Sequence, residues 1–326
     1  MAHPVVLPAA ADGRATESIM QIAVLIPCHN EEAAIGSVVR DFRAALPEAA
    51  VYVYDNNSTD RTCQIAAAAG AIVRSETRQG KGHVVCRMFA DIEADVYVLV
   101  DGDDTYDAPS APRMIERLRS QQLDMVSAVR LSSSRAAYRP GHVFGNRLLT
   151  GLVASLFENQ FSDILSGYRI FSRRFVKSFP ALVSGFEIET ALTVHALELR
   201  MPVAEMDTPY KDRPAGSASK LHTFRDGFRI LRTILRLVLE ERPLALLGWL
   251  SVLFALTSVV IAIPVFETYA QTGLVPRLPT AVLSASLIVL AFLSLASGLI
   301  LEMVTLGRRE SKRLRYLALP APPPPD

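Results

Sequence analysis

The stretch VYVLVDGDDTYDA, Val96 to Ala108, runs apolar and then sets four carboxylates close together, Asp101, Asp103, Asp104 and Asp107. Acids packed this tightly repel one another unless a positive centre sits among them. Three centres suit the spelling: a phosphorus atom attacked by an aspartate, a calcium ion in a D-x-D loop, or a divalent ion that holds the phosphates of a nucleotide. A calcium loop of the EF-hand kind needs Gly at its sixth position and Glu at its twelfth. Tyr106 and Pro112 stand there, so calcium is set aside.

The elements that must position these acids separate the remaining two chemistries. Ile22 to Pro27 reads as a strand ending in CHNEE, and Ile35, Val38, Val39, Phe42 and Leu46 then recur at helical spacing. Val51 to Tyr54 is a second strand leading into DNNSTD, followed by an Ala-rich helix over Thr62 to Ala69 that Gly70 can end. Ala71 to Arg74 is a third strand before RQGKG, and a helix over His83 to Ile92 precedes the strand Val96 to Val100. Such βα repeats predict an α/β fold, a doubly wound and mostly parallel sheet with its ligand at the strand C-termini. An aspartyl phosphatase of the haloacid dehalogenase type would carry its nucleophile on the first strand. Here three strands come before Asp101, and Lys177 with Asp207 and Asp212 would make a poor remainder of that site.

The 326 residues carry a formal net charge of +1, which gives no global attraction for nucleic acid. Two runs, Leu244 to Ile263 and Thr280 to Val304, are nearly free of charge and about long enough to cross the ~30 Å hydrocarbon core as helices. The expected organisation is a loose tail over 1–19, a catalytic domain over 20–221, an interfacial helix over 222–243, a two-helix membrane section over 244–306 and a basic, then Pro-rich, tail over 307–326. Arg229, Arg232, Arg236 and Arg242 precede the first span, and Arg308, Arg309, Lys312, Arg313 and Arg315 follow the second. By the positive-inside rule both termini and the large domain are cytoplasmic, on a multi-pass protein of the inner, or plasma, membrane. MAHPVVLPAAADGRATES lacks the pattern of a signal peptide. Cys28, Cys63 and Cys86 fit neither a disulfide framework nor a zinc site.

Taken in order, IPCHNEE, VYDNNSTDRT, RQGKG, VLVDGDD, DILSGYRIFSR and DRPAGSASKL, followed by two spans, resemble family 2 glycosyltransferases of the GT-A fold. Within that family the pattern is most similar to the polyprenyl-phosphate glycosyltransferases, the dolichyl-phosphate mannose synthase group. The resemblance implies transfer of one sugar from a UDP- or GDP-sugar to a polyprenyl phosphate, with Mg²⁺ or Mn²⁺ and with inversion at the anomeric carbon. It implies a metal held by Asp101 and Asp103, with Gly102 between them at the donor.

Pro27, Asn30 and Glu31 are expected at the base and ribose, although Asn30 also suits a helix cap. Asp55 is expected at the same nucleoside, and Lys81, between Gly80 and Gly82, supplies a positive charge near the donor. Asp104 and Asp107 suit loop shaping or capping. DILSGYR places Asp163 near the acceptor, as a base or an orienting group, and Arg169 near a phosphate. Glu187 and Glu189 face the pocket or form a structural ion pair, and His195 reads as core. Arg213, Ser217 and Lys220 form a basic loop suited to closing on phosphates, with Arg213 and Lys220 in catalytic roles. Residues His222 to Leu239 alternate apolar and Arg positions as an amphipathic helix for an anionic leaflet. Partners are therefore the donor, the lipid acceptor, the bilayer and, through the membrane helices, other copies of the chain.

A processive polysaccharide synthase would carry Q-x-x-R-W, yet the single Trp, Trp249, follows Gly248 inside the first span. A membrane adaptor without turnover would tolerate damage to the metal and phosphate motifs, and these are intact.

Overall fold

The alternation along the first strand explains the architecture. In β1 (Ile22–Cys28), Ala23 and Leu25 face one apolar cluster while Val24, Ile26 and Cys28 face another. A strand apolar on both faces needs cover on both, as in parallel α/β sheets. The structure, a computed structural model, describes residues 20–132, 161–180, 188–212 and 242–321. Arg213, Ser217, Lys220, Glu187 and the amphipathic segment 222–239 lie outside the described residues.

Among the described residues, seven strands form one sheet in the order β3-β2-β1-β4-β6-β5-β7. These are β1, β2 (Ala50–Asp55), β3 (Ile72–Ser75), β4 (Val96–Leu99), β5 (Met125–Ser132), β6 (Arg169–Ser172) and β7 (Val203–Tyr210). All neighbours are parallel except β6, which runs against β4 and β5. The doubly wound, mostly parallel sheet expected from the βα pattern is thus present.

Helices α1 (Ile35–Ala45), α2 (Thr62–Ala68) and α4 (Ala111–Ser120) cover one face. On α1 the buried Ile35, Val38, Val39 and Phe42 fall at helical spacing, and on α4 Met114, Ile115 and Leu118 do the same. The other face is covered by α3 (Lys81–Asp91), α5 (Arg173–Ser178) and α6 (Ile188–Glu198), through Val85, Met88, Phe175 and Leu192 among others. Because β6 is reversed, its first residue, Arg169, lies on the rim with the C-termini of β1, β2 and β4. Ser172, at its other end, lies on the opposite rim beside Asp124.

Two long helices follow, α7 (Pro243–Thr272) and α8 (Leu278–Leu317), each long and apolar enough to cross a bilayer. The hairpin closes through small residues: Ser258 and Ser284 exchange hydrogen bonds with each other's carbonyls, and Gly298 packs on Leu244 and Leu247. Helix α7 continues through Pro264, past the expected end at Ile263, with Thr268 Oγ1 donating to the Pro264 carbonyl. Helix α8 likewise runs through the segment expected as a basic tail, as far as Leu317.

Candidate active site

The segments that follow β1 and β2 are tied into one wall by side chains. His29 Nδ1 donates to the Asn56 carbonyl at 2.8 Å, and the Asn30 N–H donates to Ser58 Oγ at 2.9 Å. Asn30, at φ 51°, also accepts from the Thr59 N–H through Oδ1 at 2.7 Å. The Glu31 N–H donates to Thr62 Oγ1, and Asp55 accepts from the Ser58 N–H, closing an Asx-type turn. Pro27 pairs with Tyr54 at the base of this wall. Asn30 and Asp55, expected at the nucleoside, therefore also hold together the loops that would form its pocket.

Asn56 secures the next loop. Its buried carboxamide donates to the carbonyls of Glu76 and Arg78, both at 2.8 Å, and accepts from the Gly80 N–H at 2.7 Å. Buried amides require such partners. The RQGKG motif is consequently a fixed turn, and its Lys81 is the first residue of α3.

Lys81 crosses to the acids. Its ammonium lies 2.5 Å from Asp101 Oδ1 and also pairs with Glu189, at the start of α6. Burial alone would favour the neutral amine, but the Asp101 and Glu189 carboxylates outweigh it and hold the ammonium above its usual range. Asp103 is buried and accepts from Thr105 Oγ1 at 2.6 Å. Two close approaches shape the D-G-D turn. A Cβ on Gly102 would lie 2.7 Å from Cys28 Sγ, and one on Gly167 only 2.2 Å from Asp101 Oδ2. The Gly167 N–H donates to the Tyr106 hydroxyl at 2.8 Å, which holds this chain segment against the acid.

Among the described residues no three His, Cys, Asp or Glu side chains group as a metal cage. Asp101 and Asp103 offer hard carboxylate oxygens on the rim, and a divalent ion of the Mg²⁺ or Mn²⁺ kind commonly takes one or two carboxylates and completes its shell with ligand phosphates and water. The donor set fits such an ion.

Beside this site, Asp163 forms a two-pronged ion pair with Arg130, at 2.6 and 2.8 Å. Burial works against the guanidinium's charge, yet Tyr106 and Asp163 raise its proton affinity above the ordinary value. The Asp163 N–H donates to Glu205, and the Arg130 guanidinium sits 5.6 Å from the Tyr210 ring centre. Tyr210 bridges Tyr106, and the Lys211 N–H donates to the Thr105 carbonyl at 2.8 Å. The strand leading to the basic segment thus ends against the D-G-D-D-T turn.

Arg169 requires a correction. Expected near a phosphate, it is fully buried, and its guanidinium donates to the carbonyls of Ile164 (2.6 Å) and Ser166 (3.0 Å) and to Thr193 Oγ1 (2.8 Å). Burial lowers its proton affinity. Arg169 shares the face of β6 that carries Phe171, under α6, so its side chain points inward and braces the DILSG turn. Glu189 takes the ion-pair alternative. Asp104 accepts from Ser37 Oγ and Asp107 from Ser110 Oγ, both as loop-shaping contacts. His195 is buried between Phe175 and Phe179. Asn56, Arg130, Tyr106 and Gly167 had no assigned part in the sequence reading. Only Arg130, a charge that follows the apolar run MVSAV within β5, carried a local signal.

Comparison with known proteins agrees with this geometry. Residues 23–179 match the model of the family described as glycosyl transferase family 2. The glycosyltransferase AglJ of Haloferax volcanii is 32% identical over 301 residues, covering 91% of this chain and 98% of that one. A dolichyl-phosphate hexose transferase of the same organism is 29% identical over 221 residues, 68% of this chain and 95% of that one. In fold, the chain resembles the crystal structure of glucosyl-3-phosphoglycerate synthase from Mycobacterium tuberculosis in complex with Mn²⁺, UDP-glucose and phosphoglyceric acid, with a TM-score of 0.54 and 24% identity over 68% of this chain and 79% of that one. The chain belongs to glycosyl transferase family 2 and is a glycosyltransferase.

Proposed function

We propose that the protein transfers one hexose from a UDP- or GDP-sugar to a polyprenyl phosphate at the cytoplasmic face of the membrane, in a divalent-metal-dependent reaction that inverts the anomeric carbon. The observation that carries this reading is the meeting of Asp55, Lys81, Asp101, Asp103 and Asp163 around one sheet rim, in a chain that also holds two helices of bilayer length. The similarity to a dolichyl-phosphate hexose transferase supports the acceptor class.

In this reading the wall of Pro27, Asn30, Glu31 and Asp55 receives the nucleoside. Asp101 and Asp103 would hold the ion, which when bound would supply positive charge to neutralise the diphosphate. Lys81, anchored by Glu189, adds a second positive charge beside it. An oxygen of the acceptor phosphate forms the new bond to C1 as the bond from C1 to the diphosphate oxygen breaks. A phosphate monoester is already ionised near neutral pH, so no side chain has to remove a proton. Asp163, committed to Arg130, then orients the acceptor side rather than acting as a base. Arg213, Ser217 and Lys220 would close on the phosphates from the segment that leaves beside Thr105. Both ends of the α7–α8 hairpin join the catalytic domain's side, which with the flanking basic residues supports cytoplasmic termini.

The test is to incubate the purified full chain with undecaprenyl phosphate, Mg²⁺ or Mn²⁺ and a panel of UDP- and GDP-sugars, and to weigh the lipid product. A mass gain of one hexose with at least one donor is expected. No glycosylated lipid with any donor would overturn the reading.

A further inference from the structure

Helix α8 outlasts its partner. The Leu244 N–H, in the first turn of α7, lies 3.4 Å from the Glu302 carboxylate, so the paired part of the hairpin ends at that level. An acid there suits the positive end of α7. From Met303 to Leu317 the helix runs on past the start of α7 for roughly 22 Å, at about 1.5 Å per residue. It ends on the catalytic domain.

The contacts fall on two buried acids. Lys312 Nζ lies 2.5 Å from Glu198 Oε2, with Arg309 beside the other oxygen at 3.9 Å, and Arg313 donates to the Leu199 carbonyl. Glu198 is the last residue of α6, where a negative charge opposes the helix dipole. Its placement is unfavourable for α6 by itself, and the cations of α8 reverse that. Farther along, the Tyr316 hydroxyl donates to Asp124 Oδ2 at 2.7 Å, and the Arg174 guanidinium stacks 4.4 Å from the Tyr316 ring centre. Asp124 is fully buried and also accepts from Ser172 Oγ and Arg174. The Tyr316 ring joins the apolar cluster under the sheet. Asp124 and Ser172 belong to the rim opposite the site, so this docking leaves the site rim uncovered.

We propose that Met303–Leu317 is a rigid strut, and that its docking on Glu198 and Asp124 fixes the catalytic domain at one height and orientation above the bilayer, selecting acceptors whose phosphate lies at the membrane surface. The selection rests on the lipid-acceptor reading above. A flexible connection would let the site sample many positions, whereas a stiff one of matched length raises the effective concentration of a membrane-held acceptor.

The experiment uses the full chain in liposomes, as wild type, Tyr316→Ala and the milder Lys312→Gln. Two acceptors are compared, undecaprenyl phosphate in the bilayer and a short-chain, water-soluble prenyl phosphate, while hydrogen exchange follows the amides of 308–317. Undocking is expected to speed that exchange and to raise KM for the bilayer acceptor about tenfold or more, with kcat/KM for the soluble acceptor unchanged. Equal losses on both acceptors, or no loss on either despite faster exchange, would overturn the strut. So would wild-type exchange over 308–317 as fast as in Tyr316→Ala, a readout that stands even if wild type glycosylates neither acceptor. That last result would instead overturn the acceptor reading.

Discussion

Each end of the sheet holds a buried or half-buried acid, and the two are treated differently. Asp124 has its oxygens engaged by Ser172, Arg174 and Tyr316, and its side chain is 0% exposed. Asp101, at the opposite rim, shares one ammonium with Glu189, and its side chain is 28% exposed. The first network is closed and holds a helix in place. Among the described residues the second sets two acids, Asp101 and Glu189, against one lysine, an arrangement that a cation can balance. A buried polar network with its partners present rigidifies the fold, as around Asp124.

Arg169 offers the largest test of that division, because its charge sits on the site rim but its bonds face inward. Changing Arg169→Met would leave the Ile164 and Ser166 carbonyls without donors inside the protein, at about 1–3 kcal/mol each. Thermal unfolding should show a loss of roughly 3 kcal/mol, while the folded fraction keeps its nucleotide affinity by calorimetry. Weakened nucleotide binding with unchanged stability would return Arg169 to the phosphates.

Gly167→Ala sharpens the contrast from the site side. The added methyl meets the Asp101 carboxylate, so the acid must shift, and a displacement of about 1 Å can cost about 10²-fold in rate. Initial rates of lipid glycosylation should fall by about that factor with little change in melting temperature. An alanine variant of full activity would show that Asp101 needs no fixed position.

The smallest effect is expected at the structural end. His195, between Phe175 and Phe179, has its pKa pushed down to about 3 by burial and, secondarily, by Lys312. An unfolded chain takes up this proton near pH 6.5. Between that pH and about 3 the unfolded state binds the extra proton, so stability falls with falling pH, by up to about 1.4 kcal/mol per unit. Melting temperatures at pH 7.5 and 5.5 should differ less in His195→Gln than in wild type. Equal pH dependence in both would place the titrating group elsewhere.

Much of the site rim was legible because strand periodicity and strand-end polarity are local. The βα repeats foretold a doubly wound, mostly parallel sheet and brought Asp101 to a strand C-terminus. Direction is what local pattern could not supply. The reversal of β6 brings Arg169 to the site rim, but its side chain turns inward to Thr193 on α6, a partner that only folding supplies. Asn56 and Arg130 act through partners brought together by folding, such as Gly80 and Asp163. The strut was hidden for a related reason. Arg309, Lys312 and Arg313 read as membrane-flanking charge, and their partners Glu198 and Leu199 lie more than a hundred positions earlier in the chain.

The charge arrangement at the site rim is tested most directly by calorimetric titration of UDP and GDP into wild type and Asp103→Asn, each with and without Mn²⁺. Mn²⁺ should strengthen binding of the cognate nucleotide in wild type, and this gain should vanish in Asp103→Asn while the variant stays folded. Binding of both nucleotides indifferent to Mn²⁺ in wild type, or an undiminished Mn²⁺ effect in the variant, would contradict the assignment of Asp101 and Asp103 as the ion's ligands.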